Sequence, residues 1–150
     1  MELEFKVESY QDVINDVMSL LIDNYAETGS SIDDEPRPNY EKYQALEELG
    51  LMKLFTARNS DGALLGYSVF IISDSLHYMD TKYAIQDILF LAKSARKGMN
   101  AVKFIKWCDN ELDKFGADII YRTTKHYKNI GRLLERLEYN LDELVYCRRL

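Results

Sequence analysis

Between Tyr83 and Gly116 the chain passes from a nearly continuous apolar run, YAIQDILFL, through a short basic segment, AKSARKG, into a long amphipathic stretch. No other segment constrains the fold as strongly. A run that is apolar almost throughout reads as a strand covered on both faces. The stretch behind it, about Met99 to Phe115, places Ala101, Ile105, Cys108, Leu112 and Phe115 on one helical face, and Gly116 ends it. Asp118 to Arg122 (DIIYR) follows as another strand. A strand, a helix and a strand in this order imply two neighbouring parallel strands joined by a right-handed crossover.

The flanking sequence completes the layers. Val13, Ile14, Val17, Met18, Leu21 and Tyr25 recur at three- and four-residue steps, predicting an amphipathic helix from about residue 10 to 27. Thr28 to Asn39 (TGSSIDDEPRPN) holds both prolines and reads as a linker. Tyr40 to Leu49 predicts a shorter helix closed by Gly50. Met52 to Ala57, the turn Asn59-Ser60-Asp61-Gly62 and Leu64 to Ile72 read as a hairpin, with Gly66 marking a bulge or a close backbone approach. Near the C-terminus, Ile130, Leu133, Leu134 and Leu137 mark a fourth helix, and Leu144 to Cys147 a last strand. The class is α/β or α+β: one three-layer domain over residues 1–150, with a central mixed sheet flanked by helices.

Composition narrows the function classes. A chain of 150 residues that is 47% hydrophobic can bury a core without disulfides or a structural metal. Its 19 basic against 25 acidic residues give a net charge of -6, which opposes general nucleic-acid binding. No strongly apolar stretch reaches ten residues, so no membrane helix is expected, and the acidic opening MELEF is neither a signal nor a transit peptide. Cys108 and Cys147 lie far apart without metal spacing and read as reduced, packed thiols of a cytoplasmic protein. His77 and His126 form no zinc set with them, Ser, His and Asp are too scattered for a hydrolase triad, and no nucleotide-binding glycine motif is present.

The basic segment is where chemistry is expected. A strand, a short loop and a helix start leave backbone N–H groups of the first turn unpaired, and the helix dipole favours an anion there. Lys93, Arg96 and Lys97 add positive charge in an otherwise acidic chain. Taken alone, the segment also suits a solvated basic loop.

Arg96-Lys97-Gly98-Met99-Asn100-Ala101 resembles the acyl-CoA signature Q/R-x-x-G-x-G/A of the GNAT superfamily of N-acyltransferases, which lies between that family's fourth strand and third helix. Arg96 and Ala101 fit the outer positions, while Met99 stands where the middle glycine belongs and Gly98 lies one residue earlier. Downstream, NIGRLLERLEYN resembles the family's N…A…(Y)…LGF helix and turn: Asn129 and Tyr139 match, Glu138 replaces the glycine and Leu134 occupies the place of the usual tyrosine. The order of elements over residues 10–150 is also the family's order. HYMDTKYAIQDILFL and ERLEYNLDELVYCRRL look like short acyltransferase-like proteins of bacteriophages.

The resemblance implies acetyl-CoA as co-substrate, its pantetheine arm held by Leu89, Phe90 and Leu91 where two strands splay. Arg96, Lys97, Gly98, Met99, Asn100, Ala101 and Val102 would wrap the pyrophosphate through the main chain, and Asn129 would touch the distal cofactor from the fourth helix. The reaction implied is attack of a primary amine on the thioester. Asp87 is the candidate general base, its strand parity placing it with Ile85 and Leu89 on one face; a structural carboxylate is the alternative, and His77 and Tyr78 are others near the acceptor. Tyr127 or Tyr139 would stand in for the tyrosine that protonates the departing thiolate. The acceptor would meet the first two helices, the Thr28–Asn39 loop and the HYMD segment, where Asp33, Asp34, Glu35 and Asp80 suit a cationic amine. A catalytically silent domain that binds a protein partner is the competing reading, favoured by Met99, Leu134 and Glu138. Arg148 and Arg149 suit a cofactor-side contact, an oligomer contact such as a homodimer, or neither.

Overall fold

The computed structural model describes residues 1–29 and 37–150. A five-stranded sheet runs in the order β1 (Glu4–Val7), β2 (Met52–Arg58), β3 (Leu64–Asp74), β4 (Lys82–Leu91) and β5 (Ile119–Tyr121). Its pairings are antiparallel up to β4, and β4 pairs parallel with β5. The helices are α1 (Tyr10–Thr28), α2 (Tyr40–Glu48), α3 (Asn100–Lys114) and α4 (Gly131–Arg136).

Strand alternation sorts the core into two layers. On one face, Val13, Val17 and Leu20 of α1 meet Leu54, Tyr67, Val69 and Phe90, with Tyr43 and Leu46 of α2 packed against them. On the other, Phe104, Cys108 and Leu112 of α3 meet Phe55, Phe70, Ala84 and Leu91. The Ser9 hydroxyl caps α1 by accepting the Asp12 N–H at 3.3 Å, and the Glu47 carboxylate takes the Tyr10 N–H at 2.8 and 2.9 Å, tying α2 to the start of α1. Gly50, at φ +71°, follows α2 in the left-handed conformation expected of it.

Four details depart from the expectations. β1 was not foreseen, although Leu3-Glu4-Phe5-Lys6-Val7 alternates at strand period; Leu3 and Phe5 pack on the α3 side, with Phe5 and Phe104 ring centroids 5.2 Å apart. The expected strand at Leu144–Cys147 does not form, and Leu144, Val145 and Tyr146 are exposed. β5 has only three residues, so its outer edge offers few ladder bonds against the entropy of ordering a sixth strand. Cys108 is buried as expected, but Cys147 is exposed rather than packed. Phe104 takes the core position, whereas Phe115 caps α3 in partial exposure with Lys53 Nζ 4.0 Å from its ring centre.

Gly66 realises both roles read from it. Register jumps from Ala57↔Gly66 to Arg58↔Leu64, leaving Leu65 as the extra residue of a bulge. A Cβ at Gly66 would lie 2.6 Å from Leu91 Cδ1 and 2.8 Å from the Phe90 carbonyl oxygen, and a strand carbonyl cannot move aside cheaply. Gly66→Ala is therefore expected to destabilise by about 1–3 kcal/mol through overpacking, read as a lower urea midpoint at unchanged slope.

Candidate active site

The sheet opens between β4 and β5. The two strands pair only from Tyr83↔Ile119 to Ile85↔Tyr121, where Lys82 and Asp118 fasten their start: Asp118 N donates to Lys82 O at 2.9 Å, and Lys82 N to Asp118 Oδ2 at 2.7 Å. From Gln86 to Leu91, β4 continues with no strand beside it on that edge. The Gln86 side chain reaches over the opening, its Nε2 donating to Thr123 O at 3.1 Å. Arg122, with a fully buried side chain, donates to Gln86 Oε1 at 2.8 Å, to Asp109 Oδ1 at 2.6 Å and to Tyr139 Oη at 2.9 Å. These contacts join β4, α3 and the turn after α4 behind the opening.

A bulge sets the chemistry of β4. Register passes from Val69↔Ile88 to Phe70↔Gln86, so Asp87 has no partner on β3. The extra residue reverses the parity beyond it. Ile88 packs on the α1/α2 face and Leu89 on the α3 face, so Leu89 does not share a face with Ile85 and Asp87 as strict alternation predicts. The Asp87 carboxylate points toward α2 and accepts the Tyr43 hydroxyl at 3.1 Å. Burial, and then the neighbouring Asp87 charge, holds the Tyr43 proton well above the ordinary tyrosine range, so this hydroxyl acts as a donor at neutral pH. Asp87 and Ile85 are exposed, so β4 is covered less completely than an interior strand.

At the end of β4 a 3₁₀ turn, Lys93–Ala95, leads to the start of α3. Gly98 adopts φ +62° with open space where a Cβ would lie, so backbone conformation rather than crowding favours glycine. No side chain caps α3, and Lys103 N is bonded to Met99 O at 2.8 Å, leaving the preceding amides outside the helical ladder. Lys93, Lys97 and Met99 are exposed. Ala101 packs against the α3-side core and Val102 is half-buried. Asn100 is buried and holds the loop from inside, its Nδ2 donating to Ala95 O at 3.0 Å and Met1 O at 3.2 Å.

Arg96 has a structural engagement that the motif did not disclose. Its Nε donates to the Leu91 carbonyl at 2.5 Å, and its NH2 pairs with Glu27 Oε2 at 2.7 Å. Leu91 O is thereby taken, and the loop is fastened to the end of α1. Lys128 pairs with the same Glu27 carboxylate.

The remaining candidates are dispersed. Asn129 lies ahead of α4 rather than on it, and its Oδ1 accepts the Gly131 N–H at 2.6 Å. Leu134 is buried. Tyr139 donates to Asp109 Oδ1 at 2.8 Å, and burial, opposed by Arg122, pushes its hydroxyl up to about 12. Tyr127 donates to the carbonyls of Thr28 and Gly29. His77, Tyr78 and Asp80 sit in the exposed turn after β3. Asp33, Asp34 and Glu35 lie outside the described residues. Among the described residues, no three His, Cys, Asp or Glu side chains group as metal ligands, and no helix is long and apolar enough to cross a membrane.

On the Asp87 side, α1, α2 and the sheet enclose an apolar cleft of about 490 Å³ with its open mouth included. Five tyrosines line it: Tyr10, Tyr25, Tyr40, Tyr43 and Tyr67. Sequence reading placed the first two helices at the acceptor side but did not single out these rings. A signal was available, because five of the chain's 11 tyrosines fall at these positions, on or beside apolar helical and strand faces.

No protein-family model matches the sequence, and no curated protein matches it. Solved structures do. A ribosomal-protein-alanine N-acetyltransferase from Brucella melitensis biovar Abortus 2308 superposes with a TM-score of 0.74 at 16% identity, covering 99% of each chain. An aminoglycoside acetyltransferase from an uncultured soil metagenomic sample gives 0.74 at 12%, covering 99% of this chain and 96% of the other. Glucosamine-6-phosphate N-acetyltransferase from Arabidopsis thaliana gives 0.72 at 10%, covering 99% of each. The chain has the fold of the GNAT acetyltransferases, an α+β fold with a mixed five-stranded sheet flanked by helices.

Proposed function

We propose that this chain, as a single domain, is an acetyl-CoA-dependent N-acetyltransferase that modifies a primary amine. The observation that carries the reading is the opening beside β4, continuous with an uncapped helix start and a glycine loop. An unpaired strand edge suits the amide groups of a pantetheine arm, and first-turn amides beside Lys93 and Lys97 suit a pyrophosphate. We assign the arm to Leu89, Phe90 and the free groups of Leu91, the diphosphate to the Arg96–Val102 backbone, and a distal contact to Asn129. The Arg96 side chain braces the loop rather than meeting phosphate. Acetyl-CoA, when bound, supplies an acetyl group activated as a thioester.

Asp87 is the base in this reading. A free alkylamine has a pKa near ~10.4, so at neutral pH its proton must leave before nitrogen attacks. A C–N bond forms as the C–S bond breaks, Asp87 receives the amine proton, and the departing sulfur is protonated to give free CoA. We keep Tyr139 as the acid for that last transfer: Arg122 donates to the same oxygen and would stabilise the phenolate left behind. Delivery requires the Tyr139 proton to exchange away from Asp109.

The test is calorimetric titration with acetyl-CoA, with ATP as control. Micromolar binding of acetyl-CoA alone supports the reading; a folded protein that binds neither returns the chain to the silent, partner-binding alternative. Ala101→Glu places a carboxylate and added bulk in the first turn and is expected to abolish acetyl-CoA binding, whereas Met99→Gly, at an exposed position, keeps or strengthens it. Both are checked in the same titration, and unchanged affinity in Ala101→Glu would remove this loop from the site.

A further inference from the structure

The geometry points to an arylalkylamine as the acceptor: a primary amine on a short chain from an aromatic ring that bears a polar substituent. This inference rests on the transferase reading for the role of the amine, but its evidence is the cleft itself. The lining is apolar apart from tyrosine hydroxyls, with no lysine, arginine, aspartate or glutamate among the residues that form it. Such walls leave the ring hydroxyls of an amino sugar and the charges of a polyamine without partners, at a cost in desolvation. They suit a flat apolar body, and tyrosine faces also attract a cation.

One carboxylate and one orphaned hydroxyl orient that body. Asp87 accepts a hydrogen bond from Tyr43, a residue of the cleft wall, and is exposed, so an ammonium can reach it. Tyr43 stacks on Tyr10, with ring centroids 5.8 Å apart and an interplanar angle of 20°. Tyr10 is 8% exposed, and its hydroxyl is buried without a hydrogen-bond partner. A buried hydroxyl left unpaired is unfavourable, and a ring hydroxyl or ring N–H of the acceptor would satisfy it. The amine end thus belongs at Asp87 and the polar ring substituent at Tyr10.

Binding, not turnover, is the direct test. Tyramine, 2-phenylethylamine and spermidine are titrated into the wild-type protein and into Tyr10→Phe, a change that removes only the unpartnered hydroxyl. Tyramine should bind most tightly, and Tyr10→Phe should weaken it by about tenfold relative to 2-phenylethylamine, the size of one good hydrogen bond. Spermidine binding as tightly as tyramine, or a tyramine to 2-phenylethylamine ratio unmoved by Tyr10→Phe, would overturn the inference. Acetyl-CoA binding without tyramine binding defeats this assignment alone. Selective tyramine binding without acetyl-CoA binding upholds the cleft and defeats the transferase reading.

Discussion

Asp87→Asn is expected to lower kcat for amine acetylation by about 10²–10⁴-fold at neutral pH, with acetyl-CoA affinity unchanged. The substitution is nearly isosteric, and an amide oxygen can still accept the Tyr43 hydroxyl that now meets the carboxylate at 3.1 Å. What is lost is the group that takes the amine proton. The deficit should therefore shrink as pH rises toward the amine's own pKa of ~10.4, because solvent then supplies the neutral nucleophile. Tyr43→Phe is the positioning control: it removes the donor, leaves the carboxylate, and should lower kcat less. The measurement is steady-state release of free CoA thiol across pH, for both variants and with a saturating acceptor. An Asp87→Asn enzyme with wild-type kcat at neutral pH would make the carboxylate a structural partner of Tyr43.

The parity error at Leu89 shows how far a sequence of this kind can be read. The apolar run, the basic loop and the amphipathic helix are local patterns, and each formed within a few residues of its expected place. The bulge that turns Asp87 out and moves Leu89 to the opposite face is a relation between two strands, visible only once Phe70 is opposite Gln86. Arg96 illustrates the same limit differently. The motif identified the residue, but its partner Glu27 is 69 positions away and turns an apparent phosphate contact into a brace. β1 was the reverse case: Leu3, Phe5 and Val7 alternate with charged residues, but four residues give too short a pattern to stand out.

Arg122→Ala is expected to cost about 3–5 kcal/mol of stability, because it leaves charged and polar groups in the interior without their common partner. Its side chain is fully buried and serves Gln86, Asp109 and Tyr139 together, with its guanidinium 5.0 Å from the Phe70 ring centre. The lower end of that range is favoured, since Asp109 is 24% exposed and keeps the Tyr139 hydroxyl. Urea unfolding measures the loss, and a paired Arg122→Met, Asp109→Leu variant should recover much of it by removing both charges at once. The two variants also separate stability from site geometry. Gln86 reaches Thr123 over the opening with its amide and depends on Arg122 to hold its oxygen, so the paired variant should fold well yet bind acetyl-CoA more weakly. Wild-type affinity in that variant would mean that the backbone alone keeps β4 and β5 apart, because their pairing ends at Ile85 whatever lies behind it.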